Sequence, residues 1–279
     1  MKMFAIPTPL VGYFTKRGRL PGLVLLLIGL LTACSGHLAE TSNSRGPKAH
    51  LARAEAIFQE RCKKAGEKIY RTAEDVEGVF LMKIRPSGVN YGDQFKLDDP
   101  YGHDSTGNEY IKSFLYGRNS SGYLTQPDKE IRRGYRYVEA IDPADGRRYR
   151  YTGRTDEPWR YDSSYSKSYK RFVLDRVLAP SSPPRYGVTY DDISTREERE
   201  YWIAGSSLKV IDLITKEVMA ERIGYMMDRG QGNTSGGRSP WLLAASYACP
   251  RFPRNGGSTD QVSQSRNFVE KALSIKQGN

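Results

Sequence analysis

Leu20 to Ala33 is an apolar run broken only by Thr32, with Leu23-Val24-Leu25-Leu26-Leu27-Ile28 at its centre. No other stretch limits so strongly what this chain can fold into. About 14 apolar residues are too few for a spanning helix, which needs about 20. Lys2, Lys16, Arg17 and Arg19 precede the run, with no acidic residue among them. A basic start, a short apolar centre and small residues at the end make a secretory signal. The fold must then be built beyond it, in a compartment where disulfides persist.

The run closes on Leu31-Thr32-Ala33-Cys34. This motif resembles the lipobox of type II signal peptides in bacterial lipoproteins, and the resemblance covers the first 34 residues only. It implies cleavage before Cys34, diacylation of that sulfur and N-acylation of the new terminus. Ser35 follows, not the aspartate that retains many such lipoproteins in the inner membrane. The resemblance therefore implies the outer membrane, facing the periplasm. The chain divides into a signal peptide 1–33, a lipidated Cys34 with a polar tether 34–50, and a domain 51–279. No family is recognised for that domain.

Of the 43 basic and 32 acidic residues, four basic and no acidic ones lie before Cys34. The mature chain keeps 39 against 32, a modest positive excess. That balance suits anionic lipid headgroups, envelope polymers or an acidic protein. The compartment argues against nucleic acid. Some 240 residues can bury one sizeable core. Nineteen tyrosines against nine phenylalanines fit half-buried sheet positions, where one end of the ring stays wet.

With Cys34 lipidated, Cys62 and Cys249 remain as an even pair, and a disulfide between them is the default expectation. Leu51, Ala54, Phe58, Cys62, Ala65 and Ile69 recur at helical intervals. They predict an amphipathic helix from Leu51 to about Arg71 with Cys62 on its apolar stripe.

Downstream, the pattern turns to strands. Gly78 to Ile84 reads as a buried strand ended by Pro86. Residues 87–128 read as a long loop, with a short regular segment at Tyr110 to Tyr116. Ile131 to Arg154 reads as a hairpin turned by Asp142-Pro143-Ala144-Asp145-Gly146. Simple alternation would put Tyr135, Tyr137, Tyr149 and Tyr151 on one face, and Arg136, Val138, Arg148 and Arg150 on the other. Strands follow at Tyr169 to Leu178 and Tyr186 to Asp191, then a helical turn at Ser194 to Glu200. Trp202 to Leu213 and Val218 to Met226 make the strongest hairpin, with a bulge expected at Gly205-Ser206-Ser207. Ser239-Pro240 opens a short helix ended by Cys249. A last helix is expected from Ser258, where Ser258-x-x-Gln261 has the capping-box pattern. Its inward face would carry Val262, Ser265, Phe268, Val269, Ala272 and Ile275. Together these give an α+β fold, a mainly antiparallel sheet of hairpins packed with an N-terminal and a C-terminal helix.

Chemistry-bearing motifs are sparse. There is no Gly-x-Ser-x-Gly elbow, and His103 is the only histidine beyond residue 50. Asp98, Asp99, His103, Asp104, Asn108 and Glu109 form an oxygen-rich run, but its spacing misses the EF-hand pattern. Gly230, Gly232, Gly236 and Gly237, flanked by Arg229 and Arg238, outline an anion loop without the Walker lysine. Asp98-Asp99 and Asp191-Asp192 are neighbours whose side chains diverge on a strand. No catalytic residue, metal or cofactor is assigned.

Residues 131–171 have the most unusual composition. Their arginines interleave with tyrosines, so Arg132, Arg133, Arg136, Arg148, Arg150, Tyr137 and Tyr151 are the binding candidates, by charge and by arginine–aromatic stacking. The plainer reading is a sheet with one buried tyrosine face and one solvated arginine face. The functional expectation is a non-enzymatic, membrane-anchored envelope protein with a protein partner in the periplasm, of envelope-assembly or toxin-neutralising type. Lipid-tethered immunity proteins are one such class, though no motif selects them. Binding of an anionic lipid or glycan through 131–171 is the alternative, and an envelope hydrolase the third.

Overall fold

A computed structural model describes residues 46–86, 93–102, 105–116, 134–252, 261 and 263–276. Residues Asn43–Asn279 make one compact unit. Its elements run α1 (Pro47–Cys62), β1 (Gly66–Ile69), β2 (Ala73–Val76), β3 (Gly78–Leu81), α2 (Gly107–Tyr116), β4 (Tyr137–Ile141) and β5 (Arg148–Asp156). They continue as β6 (Arg171–Leu178), β7 (Tyr186–Asp192), α3 (Arg196–Glu200), β8 (Ile203–Asp212), β9 (Glu217–Met227), α4 (Pro240–Ala244), β10 (Ala248–Cys249), α5 (Gln264–Ala272) and β11 (Leu273–Ile275). Among the described residues, no helix is long and apolar enough to cross a membrane.

The fold is α+β. Its main sheet has nine strands in the order β1-β9-β8-β7-β3-β4-β5-β6, with β10 on the same edge of β9 as β1. Most pairs are antiparallel, but β3 runs parallel to both β4 and β7. A β3-α2-β4 crossover supplies one of those parallel pairs, since parallel neighbours need a long connection and a helix provides it. β11 pairs with β2 as a separate parallel ribbon.

One face of the sheet presents Val79, Leu81, Val138, Ala140, Tyr149, Tyr151, Val188 and Leu208. α2 covers it with Tyr110, Ile111 and Phe114, and α5 with Phe268, Val269 and Ala272. Where β8 and β9 pass α4, Trp241, Ala244 and Ala245 bury Ala204 and Met226 together with Tyr101. Alternate residues of the same strands, Ile203, Tyr225 and Met227, point to the other face and pack on Ala54 and Phe58 of α1. The Cys62–Cys249 disulfide ties the end of α1 to β10, with the two Cα atoms 5.5 Å apart.

Several sequence expectations move. α1 starts at Pro47, inside the stretch read as tether, because proline suits the first helical position and Gly46 O accepts from the N–H of His50. It stops at Cys62 and not near Arg71. Gly66 takes φ +154° and the chain turns into β1, whose ladder with β9 overrides the helical spacing of Ala65 and Ile69. β3 ends at Leu81, before Ile84. The 107–116 stretch of the long loop is a helix with a buried aromatic stripe. No bulge occurs at Gly205-Ser206-Ser207; those residues pair in unbroken register with β9, and the irregularity falls between Val210 and Ile211. Gly205 is needed instead because the Tyr225 ring lies where a side chain would be. Cys249 belongs to β10 and does not end α4. α5 begins at Gln264. Gln261 donates to the carbonyls of Pro100 and Tyr101 instead of closing a cap. Ser258 and Val262 lie outside the described residues, and Ile275 belongs to β11.

Candidate functional site

The hairpin of β4 and β5 carries most of the described binding candidates, and its register decides where they point. Ile141 pairs with Arg148, so six residues separate the strands. Gly146 at φ +70° shapes the turn, the Asp142 carbonyl accepts from the Gly146 N–H, and the Asp142 and Asp145 carboxylates accept from the N–H groups of Ala144 and Arg147. With an even-numbered connection, odd residues of β4 face even residues of β5. Val138 and Ala140 therefore join Tyr151 and Tyr149 on the core face. Tyr137 and Glu139 join Arg150 and Arg148 on the opposite face. This corrects the expected sorting: Tyr137 shares the arginine face, and Val138 is in the core. A one-residue difference in register moves every side chain to the other face. Tyr135 precedes β4 and is buried, its hydroxyl donating to the Leu273 carbonyl at 2.7 Å.

Three candidates, Arg148, Arg150 and Tyr137, thus cluster around Glu139, a residue that carries no signal of its own in the sequence. Glu139 is fully buried at the floor of the arginine face. Arg150 donates to one Glu139 oxygen from Nε at 2.9 Å and from Nη2 at 2.7 Å. Arg148 Nε lies 3.0 Å from the other oxygen. The Arg150 guanidinium also lies over the Tyr137 ring, 4.0 Å from its centroid. Arg148 reaches on to the carbonyls of Pro180 and Ser181. Arg136 stays largely in solvent, 3.8 Å from Glu77. Tyr151 is on the core side of the sheet and away from this cluster. Arg132 and Arg133 lie outside the described residues.

Most other described cations of the stretch, and Arg176 beyond it, are answered in kind. Arg147 meets Asp145, Arg154 meets Asp175, Lys170 and Arg160 meet Glu157, Arg171 meets Asp156, and Arg176 meets Asp142. Tyr161 and Arg171 both donate to Asp156, and these bonds hold its carboxyl below the usual range. Arg147 and Arg176 lie by register on the tyrosine side of the sheet, while on the arginine face charges of both signs alternate. The arginine face offers planar guanidinium and tyrosine surfaces for stacking more than an unopposed field for a polyanion.

Other motifs resolve locally. The glycine loop closes on Asp228, a buried carboxylate that accepts from the N–H groups of Gly230 at 3.1 Å and Gly232 at 2.8 Å and from Arg238. The backbone donors and the arginine that outline an anion loop converge on a carboxylate of the chain itself. In the oxygen-rich run, Asp99 is buried against Arg85 at 2.8 Å, Asp98 accepts from Tyr190 and Lys83, and Glu109 pairs with Lys112. His103 and Asp104 lie outside the described residues. Among the described residues, no group of three histidines, cysteines or carboxylates gathers as for a metal. Asp192 turns to Arg199, which also donates to the carbonyls of Gln94 and Leu97 and so pins 93–102 to the end of β7. Burial disfavours the Arg85 cation, but Asp99, Tyr110 and Tyr190 together outweigh it and its pKa is raised. Arg222 sits equally deep, hydrogen-bonded to the Gln264 carbonyl, and burial lowers its pKa. Burial pushes the Tyr101 phenol beside it up to about 12.

Comparison with protein-family models, with curated proteins and with solved structures finds no match for this chain.

Proposed function

We propose that the chain is a non-enzymatic lipoprotein of the bacterial envelope, anchored through Cys34 in the outer membrane and facing the periplasm, where it binds a protein partner. The observation that carries this reading is the motif Leu31-Thr32-Ala33-Cys34 at the end of a short apolar run behind a basic start. The Cys62–Cys249 bridge supports it, since structural disulfides belong to oxidising compartments. Anchoring confines the domain near the membrane and raises its effective concentration toward partners there. The partner would be an envelope-assembly component or an exported toxin that the domain neutralises.

The alternative, an anionic lipid or glycan held by 131–171, draws less support from the charge pattern, because the described arginines of that stretch largely face carboxylates. Cell fractionation tests the anchoring. The wild-type chain is expected in the outer-membrane fraction, and Cys34→Ser in the soluble periplasm or retained as an unprocessed precursor. Unchanged fractionation of Cys34→Ser would count against the proposal. Binding of the wild-type domain to anionic vesicles that is lost in Arg148→Glu/Arg150→Glu would favour the alternative.

A further inference from the structure

β6 ends the sheet opposite β1, and among the described residues no strand covers its outer edge. Natural edges are blunted by short strands, prolines, lysines or bulges. β1 is four residues long and shows Glu67 and Lys68 to solvent. β6 is eight residues long, holds no proline or lysine, carries charges of both signs at Arg171, Asp175 and Arg176, and pairs with β5 in unbroken register. Ala179 N–H donates to the Arg148 carbonyl, which fixes the direction of the backbone groups. Odd-numbered residues of β6 turn theirs toward β5, while Phe172, Leu174, Arg176 and Leu178 turn theirs outward. Among the described strands, β6 pairs only with β5. Val177 and Leu178 remain 64% and 58% exposed on opposite faces of this edge.

We propose that β6 pairs with β6 of a second copy of this chain, antiparallel about a two-fold axis through Leu174, so that the sheet continues across two molecules. A two-fold axis between antiparallel neighbours is perpendicular to the sheet, so opposed residues share a face and their numbers add to an even sum. Two centres overlap the strand almost fully, Leu174 and Asp175. The Asp175 centre sets that carboxylate directly against its copy, which is unfavourable. The Leu174 centre sets leucine on leucine, Phe172 on Arg176 of the second copy, Val173 on Asp175, and Arg171 on Val177. No like charges are opposed between Arg171 and Val177. Arg171 and Asp175 of the second copy become diagonal neighbours of opposite sign, and an arginine over a phenylalanine ring is attractive. The pairs 174/174 and 172/176 are those whose backbone groups point outward, giving about six inter-chain hydrogen bonds. This charge complementarity favours a second copy as the occupant. The inference is independent of the reading of Cys34.

The test uses the full-length chain in intact cells under mild oxidation, wherever it fractionates. Opposed residues of a hydrogen-bonded antiparallel pair lie about 5.5 Å apart at Cα, within disulfide reach. Leu174→Cys is therefore expected to convert to a reducible species of twice the mass. Asp175→Cys, whose counterpart lies diagonally at about 7–8 Å, is expected to stay single. Adding Val177→Lys sets a cation opposite Arg171 at both ends, and is expected to cut the yield several-fold. Val177 is exposed, so the fold read by circular dichroism should not change. Because Leu174 is half-buried, the unsubstituted chain in detergent provides a second reading: light scattering should give a dimer, and Val177→Lys alone a monomer. A monomeric unsubstituted chain, equal linking at 174 and 175, or linking of Leu174→Cys to a different protein would each overturn the proposal.

Discussion

At the scale of single residues, the most consequential side chains are buried acids that collect arginines. Glu139 holds Arg148 and Arg150, Asp228 holds Arg238 and two backbone N–H groups, and Asp212 holds Arg71 and Arg185. Removing one partner of such a group strands the others in a poorly hydrated site. Glu139→Ala should cost roughly 2–3 kcal/mol in urea unfolding, at or below the low end for buried pairs because both arginines can recover some hydration. Arg136→Ala, at a side chain 80% exposed, should stay within about 0.5 kcal/mol. Asp212 adds a pH dependence. Hydrogen bonds from Arg185, with the N–H groups of Ile214 and Thr215, hold its carboxyl at about 2. Its folded pKa lies below the unfolded value near 4, so its contribution is complete above that value and fades as pH falls toward 2. Acid titration of the thermal transition should show a shallower loss between about pH 4 and 2 in Asp212→Asn than in wild type. None of these acids stands out in the sequence, since burial of a carboxylate depends on which strand its neighbours come from.

Among the elements, legibility followed how local the cause was. The β8–β9 hairpin, β6 and β7 were readable because their alternation and turns are contained within a few residues. Thr195-Arg196-Glu197-Glu198 shows the same principle. Thr195 Oγ1 accepts from the Glu198 N–H and the Glu198 carboxylate accepts from the Thr195 N–H, a Ser/Thr-x-x-Glu box that was present in the sequence and marks the start of α3. The β4–β5 faces were misassigned because the connection length, not the alternation, sets which residues oppose. α1 was overextended because Ala65 and Ile69 keep helical spacing by coincidence, while their fate is settled by β9, some 150 residues on. The disulfide was legible from the expected compartment and from parity, and it gives α1 a covalent hold on β10 beyond the packing of Ala54 and Phe58. Cys62→Ser/Cys249→Ser should still fold, with unfolding stability lower by about 2–5 kcal/mol and α1 as the first segment cut in limited proteolysis. An unchanged denaturation midpoint would show that packing alone holds α1.

For the whole molecule, the α+β class followed from composition and element order, but the parallel strands did not. β3 lies between β4 and β7, each far from it along the chain, and α2, in the connection to β4, packs on β4 and β5. The candidate binding face was legible as a composition and not as a surface, because the carboxylates that answer its arginines come from turns and from neighbouring strands. What unites the molecule is the proposed sequence of a cleaved signal, a lipid on Cys34, and a disulfide-clamped domain held at the membrane. The most direct test is the mass of the N-terminal peptide of the protein extracted from membranes. The expected peptide begins at Cys34 and carries a diacylglyceryl group on sulfur and a fatty acyl group on the amine. A peptide that begins elsewhere, or one that begins at Cys34 with a free thiol, would contradict it.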